Sequence, residues 1–188
     1  MASELQVTTI KGVPTGASAN QILVPTGQKL IATDAGSVVA PGQVIQVQHA
    51  SFTSSISSTS GTKAATGIQM NFTPLRATSK LLCRFNLQGV HNGNTSSGLN
   101  LYVHRDGVGV TESGLGTVSG NEGQFGYAIN YNTGGQSISE ISCEVLLSAN
   151  STAQTLIALW MGLYNVGTAY INVNTPDVSF MSIQEVAQ

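Results

Sequence analysis

The stretch ATGIQMNFTPLRATSKLLCRFNLQGV, residues 65–90, holds two runs in which apolar and polar residues alternate. In the first, Ile68, Met70 and Phe72 alternate with Gln69 and Asn71. In the second, Leu81, Cys83, Phe85 and Leu87 alternate with Leu82, Arg84 and Asn86. A period of two puts every second side chain on one side of an extended backbone, so each run predicts a strand with one face to bury. Pro74 ends the first strand, because proline has no N–H to give to a ladder.

The same pattern continues on the C-terminal side. Leu99, Leu101 and Val103 form one face, with Asn100, Tyr102 and His104 on the other. Asp106-Gly107 accepts the positive φ values of a tight hairpin turn, and Val108–Thr111 supplies the returning strand. Phe125, Tyr127, Ile129 and Tyr131 alternate before the turn Asn132–Gly135, and Ile141, Cys143, Val145 and Leu147 make the next stripe. Thr155–Tyr164 is apolar on both faces, which predicts a central strand or a buried subunit-contact strand. Gly162 and the β-rich context weigh against a helix there. Ala169–Val173 and Val178–Val186 close the chain. Eight or nine strands thus follow residue 50, and no segment reads as a convincing helix. The expected fold is all-β, an antiparallel β-sandwich of jelly-roll type spanning residues 49–188.

Residues 1–48 read differently. Val13–Gly16, Val24–Gly27 and Val39–Gly42 are imperfect Pro-Gly repeats, separated by short β-prone pieces such as Gln21–Val24, Leu30–Ala32 and Val44–Val47. Such pieces cannot bury Ile22, Leu23, Leu30 and Ile31 without neighbours. The expectation is an N-terminal attachment arm or stalk.

Composition narrows the function. Charged residues are 9% of the 188, against about 25% in ordinary soluble domains. The net charge of −2 and the scattered placement of Arg76, Lys80, Arg84 and Arg105 offer no field for nucleic acid. The longest apolar run, Leu156–Leu163, falls short of the roughly 20 residues that cross a bilayer. The opening MASELQVTTIKG lacks the basic and apolar regions of a secretory signal, so synthesis in a host cytoplasm is expected, without membrane insertion. Cys83 and Cys143 fall on the apolar sides of their strands, without metal-type spacing, and read as small buried thiols.

A search for chemistry yields little. The sequence contains no G-x-S-x-G elbow, H-E-x-x-H pair, phosphate-binding G-x-x-x-x-G-K or calcium loop. His104 and Asp106 lie close together but at a hairpin tip, where a solvated turn is the simpler reading. Glu140 and Glu144 share an exposed strand face without converging. No catalytic residue, cofactor or metal site is expected, and the reading is not of an enzyme. If recognition occurs, the polar, glycine-rich loops at residues 92–98, 119–123 and 132–135 are its place. Asn92, Asn94, Asn121 and Asn132 there can present amides to the hydroxyls of a host surface glycan.

Five segments then appear in order: MASELQVTTIKG, VVAPGQVIQVQHASFTSS, TGIQMNFTPLRATSKLLCRFNLQGV, YVHRDG and SFMSIQEVAQ. Together they resemble small tail-fibre-like or virion structural proteins of marine tailed bacteriophages. The resemblance implies a virion component with an arm that docks on other virion proteins and a C-terminal β-domain. Such β-domains are similar to the jelly-roll heads of the tumour necrosis factor and complement families, which implies a homotrimer. Three functions follow for test: a fibre or similar appendage, a capsid decoration or vertex protein, and a sugar-acting enzyme on a β scaffold.

Overall fold

The computed structural model describes residues 26–29, 31, 38–92, 98–111, 116–118, 122–129, 138–163, 167–173 and 177–188. The chain divides into a unit of residues 1–38 and a unit of residues 39–188. In the first, Thr26-Gly27 lie in a turn, with Gly27 at φ 85°, and Ile31 is exposed. Ile22, Leu23 and Leu30 lie outside the described residues.

The second unit is built from strands alone among its described residues. They are β1 (Val44–Phe52), β2 (Ile56–Ser58), β3 (Ala64–Phe72), β4 (Lys80–Asn92), β5 (Gly98–Arg105) and β6 (Val108–Gly109). Then come β7 (Gly116–Val118), β8 (Glu122–Ile129), β9 (Ile138–Ser148), β10 (Thr155–Leu163), β11 (Ala169–Ile171) and β12 (Ser179–Val186). Every pairing is antiparallel, and the strands form two sheets. The first sheet runs β1–β12–β4–β9, and short β2 and β11 continue the lines of β1 and β12 beside the last residues of β4. The second runs β3–β10–β5–β8–β7, with β6 also against β5. Among the long strands, β1 pairs β12, β3 pairs β10, β4 pairs β9 and β5 pairs β8. Four nested pairs are what results when one long hairpin is rolled on itself. This is the jelly-roll sandwich expected from the stripes.

The alternation places the core between the sheets. Ile68 and Phe72 of β3, Leu81, Cys83, Phe85 and Leu87 of β4, and Leu147 of β9 are fully buried. Leu101 and Val103 of β5, Ile157 and Leu159 of β10, and Met181 and Ile183 of β12 meet them. β10 lies between β3 and β5, the central position its two apolar faces require.

One refinement concerns a boundary. β1 begins at Val44, so residues 44–48, which locally read as part of the arm, form a ladder with β12. Their partner lies some 140 residues along the chain and leaves no local trace. Next to this ladder the chain's entry and exit are tied together. Gly42 N–H donates to Ala187 O at 2.7 Å, and Ala187 N–H donates to Gln43 O at 2.9 Å.

Bulges shape the strands where the alternation breaks. Between Leu87 and Val90, β4 carries one residue more than β9, and Gly89 takes φ +55°. Between the Ala158↔Gln69 and Trp160↔Ala65 pairs, β3 carries three residues against one. Thr66 turns inward there, its hydroxyl donating to Leu159 O at 2.7 Å and accepting from Ile68 N–H at 3.1 Å.

Candidate functional site

The outward face of the first sheet presents exposed side chains on all four strands. Its side chains form rows across the four strands, each row set by ladder register. Val44, Val186, Lys80 and Ser148 make the first row. Val47, Gln184, Leu82 and Leu146 make the second, and His49, Ser182, Arg84 and Glu144 the third. Ser51, Phe180, Asn86 and Ser142 make the fourth.

Polar residues dominate the third and fourth rows. Arg84 Nε donates to Glu144 Oε2 at 2.9 Å with both side chains more than half exposed, an arrangement that neutralises the pair and adds little stability. Gln88 Nε2 donates to Asn86 Oδ1 at 3.0 Å. The His49 and Phe180 rings lie 5.5 Å apart and tilted by 54°. Around them His49, Arg84, Asn86, Ser142, Phe180 and Ser182 line an open depression of about 420 Å³. The first two rows are more apolar: Val44, Val47 and Leu146 are all exposed.

Sequence reasoning placed Leu82 on the polar side of β4 and passed over Leu146 and Phe180. The signal was present, since each is a large apolar residue at an outward position of an otherwise polar stripe. Such interruptions have no local explanation and point to something beyond the fold.

The outward face of the second sheet is of another kind. Asn100, Tyr102 and His104, expected on a polar face, are buried. The His104 ring stacks on Trp160 at 4.0 Å, and Lys63 Nζ lies 4.4 Å from the Tyr102 centroid. Gly162 allows residues 60–63 to cross this face closely: a Cβ there would stand 3.3 Å from Gly61 O, and Leu163 N–H donates to Ser60 O at 3.0 Å. This layer was invisible to a rule that assigns polar residues to solvent.

The hairpin tip is a structural fixture. Asp106 and Gly107 have φ 52° and 82°. The Asp106 carboxylate accepts from the Thr155 hydroxyl and from Leu156 N–H, each at 2.8 Å, and these bonds hold it below its ordinary value of 3.8. His104 Nδ1 lies 3.2 Å from Gly107 O, so His104 and Asp106 each bind backbone or hydroxyl and not one another.

Glu185 is the buried acid of the described residues. Its carboxylate accepts from Leu75 N–H at 2.8 Å, Arg76 N–H at 2.9 Å and Gln46 Nε2 at 3.1 Å. It anchors the β3–β4 connection to the end of the first sheet. Cys83 and Cys143 face inward and are not joined in a disulfide, and burial pushes the Cys143 thiol up to about 12. No group of three or more His, Cys, Asp or Glu able to hold a metal occurs among the described residues.

Of the expected recognition residues, Asn92 ends β4, its backbone opposite Ala169 of β11. Asn94, Asn121 and Asn132 lie outside the described residues. No helix among the described residues is long and apolar enough to cross a membrane.

No protein-family model matches the chain, and no curated protein matches it. Among solved structures it is similar to the VP2 subviral particle of infectious bursal disease virus, at 14% identity and a TM-score of 0.39, covering 85% of this chain and 42% of that one. It is also similar to the structure of the Gt strain of that virus, at 14% identity and 0.39, covering 92% and 48%. The Gx strain gives 13% identity and 0.38, covering 87% and 48%. The chain spans under half the length of each of these proteins.

Proposed function

We propose that this chain is a structural protein of a bacteriophage virion, acting as a fibre or similar appendage. In this reading it is a homotrimer, its N-terminal residues dock on another virion protein, and the loops around Asn92, Asn94, Asn121 and Asn132 meet host surface glycan. The observation that supports the reading best is the outward face of the first sheet. It carries Val44, Val47, Leu146 and Phe180 exposed, and its Arg84–Glu144 pair cancels its own charge. A protein with 9% charged residues has little repulsion to keep such a face from associating. A part made to assemble has no need of it.

Immuno-gold labelling of purified particles of the encoding phage tests this reading. Label on the tail is the expected result. Label on the capsid would replace the appendage by a decoration or vertex protein. Particles without label, together with release of reducing sugar from host envelope polysaccharide, would replace both by an enzyme.

A further inference from the structure

Among the described residues 39–188, six large apolar side chains are exposed: Val44, Val47, Leu75, Val108, Leu146 and Phe180. Four of the six lie on the outward face of the β1–β12–β4–β9 sheet. Leu75 lies in the β3–β4 connection and Val108 opens the two-residue β6 beside the hairpin tip, where isolated exposure is ordinary. The concentration on one face calls for a cover, and the arrangement of the rows indicates which.

The two edges of this face match each other at the middle rows. At the β1 edge the second and third rows begin with Val47 and His49, and at the β9 edge they end with Leu146 and Glu144. We propose that this face is buried against further copies of this chain, set around an axis parallel to the strands. The β1 edge of one copy then lies on the β9 edge of the next. Rotation about such an axis keeps each row at its own height, so Val47 of one copy meets Leu146 of the next, and His49 meets Glu144. An apolar side chain meets an apolar one, and an acid meets an imidazole. β1 and β9 run antiparallel within the sheet and keep that relation across the junction, where two sheet edges would otherwise stay open.

The number of copies rests on the homotrimer reading above.

Paired cysteines in the full-length chain provide the test. Val47→Cys and Leu146→Cys together, oxidised with glutathione disulfide, are expected to give a covalent species of three chains on a non-reducing gel. Either substitution alone gives none. A disulfide forms only if the Cα atoms approach to about 4.4–6.8 Å, so the product reports the junction itself. The native thiols stay silent, Cys83 because it is buried and Cys143 because its thiol resists ionisation. A second variant, Val47→Glu with Leu146→Glu, is expected to sediment at one chain mass with an unchanged β spectrum. If the wild type sediments at three times 19.5 kDa but the cysteine pair fails to cross-link, or the glutamate variant stays trimeric, this junction is wrong and the homotrimer stands. A concentration-independent wild-type monomer overturns both. A covalent dimer overturns closure by three copies.

Discussion

Glu185 and Glu144 belong to the same sheet with β4 between their strands, and their surroundings set opposite consequences for losing a charge. Glu185 is fully buried with three donors converging on it, whereas Glu144 shares an exposed ion pair with Arg84. Replacing Glu185 by Gln turns an amide NH₂ toward the backbone N–H of Leu75 or Arg76, which can only donate, and about 1–3 kcal/mol of stability should be lost in urea denaturation. Glu144→Gln should cost under about 1 kcal/mol in the same measurement. Asp106 makes a related prediction in pH. Its carboxyl is depressed first by the Leu156 N–H bond and then by the Thr155 hydroxyl. A depressed folded value contributes stability above the ordinary 3.8, and that contribution disappears as pH falls through the folded value. Asp106→Asn should therefore be less stable than wild type at neutral pH, and the difference should close below about pH 4, read from denaturation midpoints across a pH series. A difference that stays constant into acid would show that the carboxylate is not what the tip depends on. Neither role was legible in the sequence, since Glu185 and its three donors are brought together only by the fold.

At the scale of elements, the alternating stripes made the long strands readable, and the exceptions follow one cause. Periodicity reports which side of a strand is apolar and says nothing of a third layer outside the sheet, so β5 read as half-solvated while both its faces are buried. The short strands β2, β7 and β11, three residues each, hold less than two periods and carry no pattern to find. The β4 bulge is the element most exposed to mutation. Gly89 holds φ +55°, and a Cβ there would run into the Asp177 carboxylate and stand 2.9 Å from Val173 N. Beside it a network joins the ends of β1, β11 and β12 to the middle of β4. Asn172 Nδ2 donates to Phe52 O and Ser54 O, Ser179 Oγ donates to Asn172 Oδ1, and Gln88 N–H donates to Ser179 Oγ. Gly89→Ala should cost about 2–5 kcal/mol, combining backbone strain with overpacking. Gly107→Ala, with φ +82° and nothing within 4 Å, should cost about 1–2 kcal/mol from strain alone. Equal losses in thermal or urea unfolding would mean that the bulge relaxes around the added methyl group.

For the whole molecule, the fold class was accessible from residues 65–90 outward because each stripe demands a second sheet to cover it. Strand order was not, since β1 finds β12 across most of the chain and β3 finds β10 across about half of it. Removing residues 1–38 should leave a cooperatively folding β-domain, because the compact unit starts at Val39 and its first ladder bonds start at Gly42. Circular dichroism of the truncated chain checks this. A loss of the β spectrum would make the leading residues part of the fold. The reciprocal bonds between Gly42–Gln43 and Ala187 also decide how the domain answers to force. A load applied between residues 39 and 188 pulls β1 away from β12 sideways, so the ladder opens one rung at a time, like a zipper. A load that enters at residue 39 and leaves through the side of the sandwich draws β1 along its own length, and the rungs from Val44↔Val186 to Phe52↔Ser179 yield together. The domain is therefore soft to tension between its own two ends and stiff to tension passed from its leading end to a neighbour.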